Sequence, residues 1–508
     1  MTNTPLDSII EKLGFGKYQK KLLILCGFGW LCDNMWLQSI AIILPRVQIH
    51  FRTPDRQIGF LFTSVFFGMM IGAWVWGISS DLYGRRTPFN VTLLISSIFG
   101  ILSGLAPSFS LLCLFLFGLG FAVGGSMPTD GTLFLENIPK SRHYLLTALS
   151  VFFSFGSVIS SSLGLLILPH ASCREPEAGK TLLCNSELQN RGWRYLLISL
   201  AMLTFIMFIC RVTLFTLKES PKYLMSVGRT TDAVLAVKLI SAQNGSELII
   251  SEADVEDNAP EVVTTLQPQY HALGDHSINS LSSVYSLVGI IANWRDLSFN
   301  QVKNLQERIE MLLVPDLRLT TILVWGIWMM VSFAYTSFNV FLPTYLEKLH
   351  QGSDQLEDSL KDYLLYTISG CPGSLIAAWM IETKLGRKQT MVISTLATSI
   401  SILGFLKVRT SIGVRISSML VSLTTTILYA VIYGYTPEVF PSSIRGTGYG
   451  IASSLSRISG MISPLIVGQL IRIWGIQSAL WLSVIIFFFV TGLISQLPLE
   501  TRVDRSGL

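Results

Sequence analysis

Twelve mostly apolar runs, each about as long as a bilayer crossing, leave few folds open to this chain. They fall at about 22–45, 58–80, 90–107, 109–128, 145–168, 194–216, 319–342, 362–381, 391–407, 414–436, 449–472 and 476–497. A helix needs about 20 such residues to span the hydrocarbon core. With 50% hydrophobic residues, 14% charged ones and a mean hydropathy of +0.53, the chain lacks the polar surface that soluble domains would need. The expected fold is an all-α membrane protein with twelve transmembrane helices in two six-helix pseudo-repeats. Its units are a bundle over 1–216, a polar connecting segment over 217–318 and a second bundle over 319–508.

The formal charge of +5 is scattered over loops and forms no basic stripe, so no nucleic-acid partner is implied. Lys12, Lys17, Lys20 and Lys21 precede the first run, which predicts a cytosolic N-terminus, and twelve crossings return the C-terminus to the same side. Arg46, Arg52, Arg56, Arg174, Lys180, Arg191 and Arg194 then fall on the opposite side and weaken that vote. A multi-pass protein results, with the plasma membrane favoured over internal membranes and a monomer over an oligomer. No cleavable leader is apparent, because the first apolar run follows Lys20 and Lys21 and is long enough to stay as a span.

The seven cysteines show no metal-ligand spacing, and Cys26, Cys32, Cys113, Cys210 and Cys371 lie inside apolar runs. Cys173 and Cys184 share one polar loop and are either bonded to each other, if that loop faces an oxidising compartment, or two free thiols. Within the connecting segment, Thr230–Gln243 and Phe299–Leu313 have amphipathic patterns suited to a membrane face. The stretch 244–280, with Glu252, Asp254, Glu256 and Asp257, is expected to be partly disordered.

An internal repeat organises the two bundles. Gly84-Arg85-Arg86 follows the second run, and Gly386-Arg387-Lys388 follows the eighth at an offset of 302 residues. Glu136 and Pro139 recur at that same offset as Glu438 and Pro441, each pair followed by an arginine, Arg142 or Arg445. A looser pair, Glu219-Ser220-Pro221-Lys222 and Pro498-Leu499-Glu500-Thr501-Arg502, ends the two halves. Duplicated halves suit alternating access, in which one bundle rocks against the other about a midplane site.

At these residues the chain resembles the major facilitator superfamily. That family's G-x-x-x-D-x-x-G-R-R loop is matched by Gly77, Asp81, Gly84, Arg85 and Arg86. The run Glu219 to Leu224 is similar to the sugar-porter signature, with Lys218 where that pattern has proline. Trp193-Arg194-Tyr195, the segment Tyr435 to Pro441 with Arg445-Gly446-Thr447-Gly448, and an acidic first span look most like the synaptic-vesicle-protein-related and organic-ion branch. There are two departures. No Lys or Arg occurs between Arg86 and Lys140, so the family's fourth-span arginine is missing and its standard proton-coupling scheme does not carry over unchanged; and Thr383 stands where the first half has Asp81.

Asp33 is the most informative residue, because a carboxylate in mid-span is costly and turns toward a cavity or a partner. It can carry a proton through a transport cycle or bind a cationic solute directly; the structural alternative is a hydrogen bond to a neighbouring helix. Trp30 and Trp36 lie three residues to either side, and Asn34 is adjacent. Tyr335 and Asn339 in the seventh span, and Tyr429 and Tyr433 in the tenth, repeat at i and i+4 and either offer polar groups to a solute or pack in the core. Gly77, Asp81, Gly84, Arg85 and Arg86 read as an inner latch, to which Glu136 with Arg142 and Glu438 with Arg445 add loop pairs. Arg457 is expected to snorkel to the cytosolic interface. No P-loop, no histidine within a span and no nucleophile or zinc constellation is present, so neither an enzyme nor a metal or cofactor is expected.

The expected function is secondary active transport of a small organic solute (sugar, organic ion or carboxylate) by alternating access, coupled to a proton through Asp33. Two alternatives stay open: an inorganic-phosphate:proton symporter, and a non-transporting membrane sensor or trafficking protein of the same fold.

Overall fold

A computed structural model of the chain describes residues 5–173, 189–214, 217–226, 228–245, 254, 309–349, 355–408, 410–440, 444–475, 477–498 and 500. Cys184, nearly all of the stretch 244–280, most of the helix expected over Phe299–Leu313, and the side chains of Asp81 and Arg445 lie outside the described residues.

Eleven helices among the described residues are long and apolar enough to cross a membrane. The twelfth is the first span, Lys17–Phe51, whose apolar character is interrupted by Asp33, Asn34 and Gln38. Every residue from Gly29 to Trp36 in it is buried. A helix surrounded by other helices does not meet lipid, so it tolerates polar residues that an outward-facing span would exclude. The other five spans of the first half are Phe60–Tyr83, Arg86–Gly104, Phe109–Asn137, Tyr144–Leu149 continued by Val151–Ala171, and Gly192–Leu214. Those of the second half are Pro315–Asn339, Gln355–Glu382, Gly386–Lys407, Ser411–Val439, Arg445–Trp474 and Gln477–Ser495. Large apolar side chains such as Trp74, Leu166, Trp379, Ile412 and Ile485 point outward and form the lipid-facing surface of a multi-pass membrane protein.

Within the first half, the second and fourth spans touch backbone to backbone. A Cβ on Gly68 or Gly72 would collide with the carbonyls of Phe117 and Phe121, and one on Gly120 or Gly124 with those of Val65 and Met69. Small residues at such a crossing allow the close approach that holds membrane helices together. Between halves, the second span packs on the eleventh and the fifth on the eighth.

Twelve crossings place the start of the first span and the end of the twelfth on one face of the bundle, called here the terminal face. There the helix Thr230–Asn244, with Ala233, Val234, Ala236, Val237 and Ile240 buried, docks through Asn244. The Asn244 side chain accepts from the Tyr18 amide at 2.9 Å and donates to Gln19 at 2.9 Å.

The repeat read from sequence recurs as one device built twice. Gly84 and Gly386 adopt φ of 91° and 67°, a region closed to most side chains, and turn the chain into the next span. The Glu219 carboxylate then accepts from the amides of Arg85 (2.8 Å) and Arg86 (3.4 Å). Glu500 does the same for Arg387 (2.9 Å) and Lys388 (3.0 Å). An anion at a helix N-terminus satisfies orphan amides and complements the macrodipole. Burial raises the Glu219 carboxyl above the ordinary carboxylate range against these bonds.

Candidate functional site

A cavity of about 80 Å³ lies between the halves, near the middle of the spans. Asn34, Tyr335, Asn339, Tyr429 and Tyr433 line it, as their helical spacing allows. Gln38, one turn after Asn34, is the hub of the wall. Its Nε2 donates to Asn34 Oδ1 and to the Tyr335 hydroxyl, both at 3.2 Å. Its Oε1 accepts from Asn339 Nδ2 at 3.1 Å and from the Tyr363 hydroxyl. Asn34 in turn donates to the Phe153 carbonyl at 2.7 Å, and the Tyr366 hydroxyl to Asn339 at 3.3 Å. One connected network thus joins the first and fifth spans to the seventh and eighth. Sequence reasoning missed Gln38, Tyr363 and Tyr366; the i, i+4 spacing of Asn34 and Gln38 carried the signal for the first.

The aromatic side of the wall centres on Tyr433, whose ring lies 5.5 Å from Trp30, 5.3 Å from Trp328 and 5.8 Å from Tyr429. Trp30 therefore stands behind Tyr433 rather than on the cavity surface. Trp36 faces the third span, where its ring tip fills the space a side chain at Gly100 would need. It is not among the lining residues.

Asp33 is fully buried. Its Oδ1 accepts from Ser126 of the fourth span at 3.0 Å, and its Oδ2 has no hydrogen-bond partner. It lies just behind the wall and not on it. The side chain that does reach the cavity is Arg457, which is 8% exposed and has an unpartnered Nε. The snorkelling expected of Arg457 does not occur, because its face of the eleventh span turns into the bundle and offers no path along lipid.

Deeper in the first half, Asp130 and Arg211 form a fully buried pair at 2.6 Å. Arg211 also donates to the carbonyls of Leu25 (3.0 Å) and Phe89 and stacks on the Phe89 ring at 3.8 Å. Side chains from the fourth and sixth spans are thereby tied to the backbones of the first and third. Gly29 makes room, since a Cβ there would collide with the Asp130 carboxylate. Neither residue was singled out from the sequence, although an ionisable residue in each run was the available signal.

On the terminal face, Arg85 pairs with Glu136 at 3.2 Å and donates to Ser80 at 2.6 Å. Arg387 grips both oxygens of Glu438, at 2.8 and 2.9 Å. The carboxylate Glu136 thus pairs with the arginine of its own half's turn and not with Arg142, which donates to the Tyr144 hydroxyl at 3.2 Å. Two turns meet between the second and fourth spans, whereas Arg142 sits on the exposed loop beyond. Arg86 is exposed, and Gly77 has open space beside it.

At the opposite, far face, Arg46 of the first span pairs with Glu347 of the second half and also donates to the Cys173 carbonyl, and both charged side chains are buried. Thr63 donates to the Met461 carbonyl at 3.2 Å along the same seam. Cys173 is disulfide-bonded, which closes one of the two alternatives left by its sequence position. Among the described residues no cluster of His, Cys, Asp and Glu could hold a metal.

Known proteins match this arrangement along almost its whole length. An uncharacterised MFS-type transporter of Schizosaccharomyces pombe is 31% identical over 99% of this chain and 88% of its own. A synaptic vesicle 2-related protein of Xenopus laevis is 28% identical over 98% of this chain and 81% of its own. A solved structure of the proton:xylose symporter XylE superposes with a TM-score of 0.67 at 16% identity, covering 96% of this chain and 97% of that one, and shows the same fold. The sequence signature of the family itself is met over residues 23–381 and 329–505. With two bundles repeating one turn and a polar cavity between them, the chain belongs to the Major Facilitator Superfamily, a family of transporters rather than enzymes.

Proposed function

We propose that this protein is a proton-coupled secondary active carrier of a small organic solute, working by alternating access around the cavity, with Asp33 as the proton-carrying group. The observation that carries the reading is the Asp33 carboxylate: fully buried, anchored through one oxygen to Ser126, and with the other oxygen unpartnered. A buried carboxylate held this way changes its charge only by taking up or losing a proton, and its energy depends on which face the cavity opens to. The seam contacts Arg46–Glu347 and Thr63–Met461 close the far face in this conformation, and the duplicated turns on the terminal face supply bonds that can differ between states.

The test is uptake into proteoliposomes of labelled sugars, organic cations, carboxylates and inorganic phosphate, with and without an inward proton gradient, for wild type and Asp33→Asn. Gradient-driven uptake abolished by the substitution is the expected result. Uptake indifferent to both gradient and Asp33 would leave a facilitator without coupling. No uptake of any solute by folded protein would sink the carrier reading and favour a sensor of the same fold.

A further inference from the structure

Charge placement around the cavity points to what the carrier takes. Arg457 is the sole charged side chain among the described lining residues, and no described residue hydrogen-bonds or pairs with it. Asp33 comes from the other half, and of the charges around it Arg457 exerts the largest electrostatic effect. The remaining groups facing Asp33 are the Asp130–Arg211 pair, Ser126, Cys32, Tyr433 and Tyr449. Asp130 and Arg211 neutralise each other at 2.6 Å. Asp33 and Arg457 are therefore left as one negative and one positive group, on opposite halves, compensated only at a distance.

We propose that Arg457 is the solute-binding cation of the carrier, that the solute is a small organic carboxylate, and that protonation of Asp33 frees the charge of Arg457 to receive it. The inference rests on the carrier reading above and narrows it. With Asp33 ionised and Arg457 cationic, the empty site is neutral. With one proton on Asp33 and one carboxylate on Arg457, the loaded site is neutral again. Either ligand alone leaves a net unit charge in a low-dielectric interior, which is costly. Each therefore promotes the binding of the other, and one proton travels with one anion. A planar carboxylate matches the fork of a guanidinium, and the rings of Tyr335, Tyr429 and Tyr433 suit an apolar or aromatic body beside it. A cationic solute is disfavoured, because the charge that reaches the cavity is positive while the carboxylate stands behind the wall.

Binding to the purified protein tests this without transport. Trp30 and Trp328 contact Tyr433, so their fluorescence reports on the cavity. The probes are acetate, benzoate and phenylacetate, against benzamide, benzyltrimethylammonium, glucose and inorganic phosphate, each titrated from pH 5 to pH 8. Carboxylates are expected to bind saturably, more tightly at the acid end, and at least about tenfold better than any other probe. Arg457→Gln should lose that preference, Arg457→Lys should keep part of it, and Asp33→Asn should bind carboxylates with little dependence on pH. If Arg457→Gln does not fold, wild type and Arg457→Lys still decide, through the benzoate-to-benzamide ratio. No saturable carboxylate binding, equal binding of benzamide, or tighter binding of phosphate overturns the proposal, as does a folded Arg457→Gln that binds benzoate normally. Proton-driven uptake of sugars or cations without carboxylate binding would overturn it and leave the carrier reading standing. Carboxylate binding without uptake of any solute would uphold the anion site and remove the carrier.

Discussion

The two halves share one turn and differ in what they bury. On the terminal face the same parts recur: a glycine at positive φ, a carboxylate on the amides of the following span, and an arginine reaching a glutamate. In mid-membrane the first half holds Asp33, Asp130 and Arg211, whereas the second offers Arg457 amid phenols and hydroxyls. Features kept in both copies serve the motion that both copies share. Features present in only one serve the solute and the proton, which have no twofold symmetry. Even the shared part is unequal, because Arg387 holds Glu438 by two oxygens while Arg85 divides itself between Glu136 and Ser80.

The sharpest way to break this comparison is to remove half of the buried pair. Arg211→Leu or Asp130→Leu alone leaves an uncompensated charge and should cost about 3–5 kcal/mol, seen as a lowered thermal unfolding midpoint in detergent; the double substitution should recover most of it. A single substitution as stable as wild type would mean that the pair does not brace the first half. Next come Gly84→Ala and Gly386→Ala. Each should cost about 1–2 kcal/mol in the same assay from the left-handed backbone, with collision against Glu219 or Glu500 added. Strongly unequal losses would show that the two turns are not equivalent. Arg387→Lys should cost about 1 kcal/mol by giving up a two-point grip, and Arg85→Lys about half of that, since one of its bonds survives a point charge.

The smallest effect concerns pH. Because burial raises the Glu219 carboxyl, a docked Glu219 binds a proton more tightly than an exposed one. Docking is therefore strengthened as pH falls through the raised value and weakened above it. Hydrogen exchange at the Arg85 and Arg86 amides, corrected for the intrinsic rate, should show more protection at pH 5 than at pH 8, and Glu219→Gln should lose the difference.

Much of this was legible in the sequence, for physical reasons. Span lengths follow from bilayer thickness, and the offset of 302 residues follows from duplication, so the paired turns around Gly84 and Gly386 could be read directly. Asp33 stood out because an acid in an apolar run is expensive. What periodicity cannot supply is the rotation of each helix against its neighbours. Asn34, Tyr335, Asn339, Tyr429 and Tyr433 reach the cavity, but Trp36, only two residues after Asn34, lies on the side facing the third span. Arg457 near a span end and an Arg457 turned inward have the same sequence. Glu136 has Arg142 closer in the chain, yet the fold brings Arg85 to it from 51 residues away.

The backbone contact between the second and fourth spans bears on how the protein can move. Where carbonyls rest against glycines at Gly68, Gly72, Gly120 and Gly124, no layer of side chains is available to change rotamer and absorb shear. That region behaves as a stiff lever. Displacement at one end, as when the Arg46–Glu347 contact parts, is transmitted to the other with little loss, and it emerges where the lever meets the second half, at Trp74 against Ser454. Stiffness in one seam thus fixes which other seam has to slide.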